Sequence, residues 1–221
     1  MDKTYEEKFR KKYSERWATD RKTKVRFTHR YNAIPNGVLQ SPILEIGPGE
    51  GLRQVQCKHK EFFLNADYLG VDLLKPKNPA LNIIQGNIAD YPVLKQYRTV
   101  LLVGVLEHVP LASWPSVVWK LKSLCMTRGK IILFVPHKES IDNYMIDKGD
   151  HLVYGITKKF MRHFFPGADI KNIYDQRVRY KERFAYFKAA GRFIKSLVTL
   201  DKRALKLIPQ RVGILVVWSK K

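Results

Sequence analysis

The sequence predicts an α/β domain: a mostly parallel sheet covered by helices on both faces. From Pro42 onward, short apolar runs bounded by Gly, Pro, Asn or Asp alternate with amphipathic stretches. That is the rhythm of strands joined by crossover helices. The apolar runs are nearly continuous rather than alternating, as in strands buried on both faces. A chain of 221 residues is long enough for one such domain with a full core.

Taken in order, the strands fall at 43–46, 68–71, 81–84, 100–103, 131–135 and 213–218, with a weaker alternating strand at 169–176. Helices are expected at 51–60, 113–124 and 157–165. Ser113 followed by Pro115 suits a helix start, and Thr157 suits a cap. Two segments stand outside this alternation. Residues 4–20 read as a charged helix with an aromatic stripe at Tyr5, Phe9, Tyr13 and Trp17. Residues 178–209 place Phe184, Phe187, Ala190, Gly191, Ile194, Leu197 and Val198 on one helical face, with Arg183, Lys188, Arg192 and Lys195 largely elsewhere. No internal repeat or linker marks a second domain. The organisation expected is one domain over 1–221: a helical cap at 1–40, a core at 41–177, a basic amphipathic insertion at 178–210 and a last strand at 211–221.

Lys and Arg number 41 against 20 Asp and Glu, a net charge of +21. Residues 1–30 carry 11 basic and 5 acidic side chains, and residues 171–221 carry 14 and 3, so most of the excess sits at the ends. A basic surface attracts an anion: nucleic acid, an acidic membrane or a phosphorylated molecule. It also serves simply as a solvated face. The two cysteines, Cys57 and Cys125, lie far apart without metal-ligand spacing, and each is flanked by helix-like sequence, Cys125 being read as helical directly after the 113–124 stretch. Reduced structural thiols are the expectation. The charged N-terminus is not that of a signal peptide, and no run reaches the ~20 apolar residues that cross a bilayer. The expectation is a cytoplasmic protein, with peripheral membrane contact open.

The segment Leu44-Glu45-Ile46-Gly47-Pro48-Gly49-Glu50-Gly51 follows the first strand. Glycines there permit a tight turn and a close approach of backbone to a ligand. A dinucleotide site has G-x-G-x-x-G, which needs glycine at position 52, where this chain has Leu52. Asp72 ends the next strand, where a carboxylate can accept hydrogen bonds from ribose hydroxyls. The loop therefore indicates a nucleoside cofactor without choosing between rivals.

Four motifs in order narrow the choice: Glu45-Ile46-Gly47-Pro48-Gly49-Glu50-Gly51, then Gly70-Val71-Asp72, then Gly86-Asn87-Ile88, then Val105-Leu106-Glu107-His108-Val109. Over residues 41 to about 165 and at the final strand, the chain resembles class I S-adenosylmethionine-dependent methyltransferases, in the branch acting on small molecules and glycans. The resemblance implies a Rossmann-like, seven-stranded, mostly parallel sheet with its last strand antiparallel and a helical insertion before that strand. It implies that Glu45, Gly47, Gly49 and Gly51 surround the methionine part of S-adenosyl-L-methionine, and that Asp72 holds the ribose. Asn87 and Ile88 would border the adenine, and Gly104, Val105 and Leu106 would line the methyl-donor side. Two departures from the family are Arg98 at the start of the fourth strand and Arg128-Gly129 where paired glycines are usual. Nothing calls for a metal.

Methyl transfer to a hydroxyl benefits from a general base, and histidine is suited to that near neutral pH. His108, His137 and His151 fall where the fold brings them to the carboxyl edge of the sheet, with His151 preferred. Tyr154 and Trp17 are lid candidates. The sequence lacks the Asn/Asp-Pro-Pro-aromatic motif of base-amine methylation. It also lacks a cysteine placed for cytosine-carbon methylation, and an Asp near 104 for ribose methylation. The expected function is O-methylation of a small molecule, a sugar or a lipid-linked acceptor. The alternative is a protein that binds or modifies nucleic acid on the same scaffold. The insertion at 178–209 would cover the acceptor, lie on an anionic membrane or meet nucleic acid.

Overall fold

The computed structural model describes residues 28–76, 79–137, 153, 156–175 and 210–221. The expectations for residues 4–20, for Trp17, His151 and Tyr154, and for the insertion at 178–209 fall outside these.

Seven strands form one sheet: β1 (Ile43–Ile46), β2 (Tyr68–Asp72), β3 (Ile83–Gln85), β4 (Tyr97–Val103), β5 (Cys125–Val135), β6 (Asp169–Asp175) and β7 (Gln210–Ser219). Their order is β3-β2-β1-β4-β5-β7-β6. Neighbours from β3 to β5 pair in parallel, while β7 runs antiparallel to both β5 and β6. This is the Rossmann-like arrangement with an antiparallel last strand that the sequence led one to expect. β1 is buried along its whole length, as are the last five residues of β4 and of β5. That burial explains why their apolar runs are continuous.

Among the described residues, four helices flank the sheet: α1 (Thr28–Asn32), α2 (Lys60–Asn65), α3 (Trp114–Leu124) and α4 (Lys158–Phe164). Tyr31 of α1 and Phe63 of α2 pack on one face with Ile43, Leu101 and Ile132. Trp114 and Leu121 of α3 and Met161 of α4 pack on the other with Leu44, Val100 and Leu133. The alternation of strand residues between these two cores is the period-2 pattern of a pleated sheet. Thr157 caps α4 as expected, its side chain accepting from the Phe160 N–H at 3.2 Å.

Two local expectations are corrected. No helix spans 51–60; a single 3-10 turn covers Gln54–Gln56, and α2 begins only at Lys60. The bonds that would continue the helix are diverted. The Lys58 N–H donates to Asn32 Oδ1 at 2.8 Å, and the Gln54 carbonyl accepts from Cys57 Sγ at 3.2 Å. Cys125 is not helical either: its backbone is extended, and it opens β5 opposite Tyr97. Lys220 Nζ donates to the carbonyls of Lys122 and Cys125, at 3.1 and 2.8 Å, and so closes the helix end. Both cysteines are buried and free.

Arg128 holds a left-handed backbone, φ 61°, with its N–H donating to the Lys220 carbonyl at 3.0 Å. An L-residue pays about 1–2 kcal/mol for this conformation and glycine does not. Arg128→Gly is therefore expected to raise stability by roughly 1 kcal/mol, read as a higher urea midpoint at unchanged slope.

Candidate functional site

The chain steps outward from β1 to β2 and β3, then returns to β4 on the other side of β1. The loops leaving β1 and β4 therefore diverge, and open a crevice beyond the carboxyl ends of these strands. Gly47, Gly49 and Gly51 leave β1 with φ of 70°, 64° and 74°, and Gly104 leaves β4 with φ 76°. Four residues in a region that side chains disfavour thus ring one crevice.

Asp72 locks the turn. Its Oδ2 accepts from the Gly49 N–H at 2.8 Å, and its Oδ1 accepts from the Leu74 N–H at 2.9 Å. Burial raises its pKa, against the pull of these two backbone donors. Each oxygen still has acceptor capacity for a hydroxyl.

Glu45 lies beneath the turn and is completely buried. Tyr31 Oη donates to its Oε1 at 2.6 Å, while Gln54 Nε2 and Tyr68 Oη donate to its Oε2 at 2.9 and 2.8 Å. The three donors come from α1, from the turn after the glycines and from β2, so one carboxylate ties three segments to the floor of the loop. Burial raises the Glu45 pKa to about 7, although all three hydrogen bonds favour the anion. Gln54 Oε1 is buried without a hydrogen-bond partner.

Two arginines adjoin this floor. Arg53 is buried, which lowers its pKa, while Tyr31, Glu45 and Asp72 favour its charge and Arg30 opposes it. The Arg30 guanidinium lies 5.1 Å from the centroid of the Phe134 ring. It also occupies the space a Cβ on Gly104 would fill, with Glu107 Oε1 3.4 Å from that same point.

The remaining expected site residues distribute as follows. Val105 is half-buried and leans over the glycine turn, its Cγ2 2.5 Å from where a Gly47 Cβ would stand. Leu106 is fully buried in the core. Asn87 folds its Oδ1 back onto the Ala89 N–H at 3.0 Å, and Ile88 packs partly against the core below. His108 ends the 3-10 turn after β4 and is half-buried; His137 follows β5 and is buried. Val103 pairs with Phe134, so both histidines leave adjacent strands at the same edge. His151 lies outside the described residues. Among the described residues no group of three or more His, Cys, Asp or Glu could hold a metal, and no helix is long and apolar enough to cross a membrane.

Tyr31, Gln54, Tyr68, Arg30 and Arg53 are not identifiable from motifs. Tyr68 left one signal. Ile43 pairs with Tyr68 and Glu45 with Gly70, so Tyr68 shares a sheet face with Glu45 and reaches it diagonally beside a residue with no side chain. Tyr31 and Arg30 come from a helix outside every motif.

No protein-family model matches the chain, and no curated protein sequence does. Solved structures do. An S-adenosylmethionine-dependent methyltransferase from Archaeoglobus fulgidus matches with a TM-score of 0.59 at 15% identity, over 94% of this chain and 98% of that one. Magnesium protoporphyrin IX methyltransferase from Synechocystis, with S-adenosylhomocysteine bound, gives 0.57 at 12% identity over 98% and 99%. Coclaurine N-methyltransferase, bound to N-methylheliamine and S-adenosylhomocysteine, gives 0.52 at 14% identity over 89% and 72%. What the chain shares with them is the fold.

Proposed function

We propose that this chain is an S-adenosylmethionine-dependent methyltransferase acting on a hydroxyl of a small molecule, a sugar or a lipid-linked acceptor. The observation that carries the reading is the left-handed glycine turn bolted to Asp72 at the crevice between β1 and β4. Backbone exposed by glycines beside a carboxylate suits a nucleoside with an amino-acid tail. Gly47, Gly49 and Gly51 would hold that tail, with Glu45 fixing the turn from below. Asp72 would take the ribose hydroxyls, Asn87 and Ile88 would flank the base, and Gly104 and Val105 would face the reacting side, backed by the buried Leu106. The cofactor supplies a methyl group on a positively charged sulfur and leaves as a neutral thioether.

The protein's own contribution is placement and a proton acceptor. The crevice walls align the hydroxyl with the methyl group and exclude water, which accounts for much of the acceleration in such transfers. A histidine at the carboxyl edge takes the hydroxyl proton as the oxygen becomes nucleophilic. The candidates are His108 and His137, which follow neighbouring strands at that edge, and His151. Substituting the base by Asn is expected to cut turnover by roughly 100-fold or more while cofactor affinity stays within a few-fold. Full turnover in all three single variants would remove the general base from the account.

Asp72→Ala removes the acceptor for two backbone N–H groups and for the ribose. Cofactor affinity is expected to fall by roughly 10- to 100-fold, at about 1–2 kcal/mol for each charge-assisted bond lost. Calorimetric titration of the variant checks this. The acceptor class is tested by supplying cofactor labelled in its methyl group together with separate pools of small hydroxylated molecules, glycans, lipids and RNA. Label in one of the first three supports the proposal, whereas label in RNA alone would replace it with the nucleic-acid reading.

A further inference from the structure

Outside the crevice, the outer face formed by α3 and α4 has an unusual composition. The two helices lie side by side on the sheet. Trp114 contacts Phe160 and Phe164, with ring centroids 5.3 Å apart in each case, and Lys122 Nζ donates to the Phe164 carbonyl at 3.0 Å. Their buried sides are core. Their outer sides combine two features.

The first is apolar. Trp119 is 67% exposed and the preceding loop presents Leu111 at 49%, with Ala112 and Pro115 exposed between them on the same side of the helix. A single exposed apolar residue is ordinary, but a tryptophan at the end of an apolar line is not a solubility feature. The second is charge of one sign. Lys120, Lys158, Lys159 and Arg162 lie on these helices with Lys159, Arg162 and His163 exposed, and neither residues 108–137 nor 151–168 contain any Asp or Glu. No acidic side chain of either helix offsets the field.

We infer that the α3–α4 face docks on an anionic membrane surface, with Trp119 and Leu111 entering the headgroup boundary and the surrounding Lys and Arg meeting lipid phosphates. Charge complementarity, together with the exposed apolar line from Leu111 to Trp119, selects this occupant. Tryptophan favours the membrane–water boundary because its ring is apolar and its N–H polar, and clustered basic residues concentrate at a negatively charged leaflet. Nucleic acid would use the same charges, but has no use for a line running through Leu111, Ala112 and Pro115. The site's position adds a consequence. Leu111 follows the Leu106–His108 turn at the crevice by three residues, so docking sets the mouth of the crevice beside the lipid surface. This surface stands on its own observations and does not depend on the catalytic proposal.

The test is sedimentation of the full chain with vesicles of phosphatidylcholine, alone or with about one-third phosphatidylserine, at low and high salt. Trp119 is exposed, so Trp119→Ala leaves the fold intact; it is expected to weaken binding to the anionic vesicles about 10-fold. Lys159→Glu with Arg162→Glu is expected to weaken it roughly 30-fold or more. A control with the same charge change on the opposite face, Lys58→Glu with Lys60→Glu, is expected to lose no more than about 3-fold through the general field. Equal loss in both charge pairs would overturn the inference, as would unchanged binding in Trp119→Ala or no preference for the anionic vesicles. Binding to a single-stranded RNA that depends on Lys159 and Arg162, without vesicle binding, would reassign the face to nucleic acid.

Discussion

Gly47→Val is expected to abolish measurable cofactor binding and to lower stability by about 2–4 kcal/mol. Gly47 has φ 70°, a conformation that costs a non-glycine residue about 1–2 kcal/mol and a β-branched one more. A Cβ at this position would also stand 2.5 Å from Val105 Cγ2, a separation that cannot persist, so the turn or the loop after β4 must move. Either movement opens the crevice at the point where the glycine turn and the β4 loop face each other. The two parts of the effect are separable. With Gly47→Ala as the background, Val105→Ala relieves the collision and leaves the backbone strain. The double variant is therefore expected to recover part of the lost stability, in a coupling that denaturant titration resolves. Simple addition of the two single effects would show that the contact is not the cause.

Glu45 governs the second large effect, which is a dependence of stability on pH. Its carboxyl sits at about 7 in the folded protein against an ordinary value of 4.5, chiefly because burial penalises the anion. The folded state thus holds a proton between these two values that the unfolded chain has released. Stability from this group is complete below about pH 4.5 and is lost as pH rises to about 7, at a cost of roughly 3 kcal/mol. Tyr31, Tyr68 and Gln54 donate to the anion and Arg53 favours it, so they limit the penalty without cancelling it. Glu45→Gln keeps the shape and cannot ionise. Urea midpoints of the wild type are expected to fall more steeply from pH 5 to pH 8 than those of the variant, and the difference isolates Glu45 from Asp72, whose raised pKa acts in the same direction. Parallel slopes would contradict the account. Glu45→Ala is different again, because it leaves three buried donors without their acceptor and should cost about 3–5 kcal/mol at any pH.

The sheet was readable in the sequence because burial on both faces leaves a plain mark. The runs Ile43–Ile46, broken only by Glu45, and Ile131–Val135, unbroken, are short and bounded by Gly and Pro, which reads as strand. Asp72 and the glycines were legible as a turn because left-handed backbone favours glycine, and the structure shows three such glycines with the Gly49 N–H bonded to Asp72. The stretch after Gly51 misled, since its composition suits a helix. What stops the helix is not local: Asn32, 26 residues before Lys58, captures the N–H that would have extended it. Cys125 misled in the same way, because Lys220 at the far end of the chain terminates α3. The floor of the site was invisible for the same reason. Glu45 is held by Tyr31 and Tyr68, whose sequence separations of 14 and 23 carry no pattern until the strands are paired.

Calorimetric titration of the purified chain with S-adenosylhomocysteine asks whether the glycine turn binds the cofactor. Saturable heat for a single site, with Kd in the micromolar range, is expected from the wild type, and none from folded Gly47→Val. Absence of heat from the wild type at millimolar ligand, with the protein shown to be folded, would contradict the cofactor assignment.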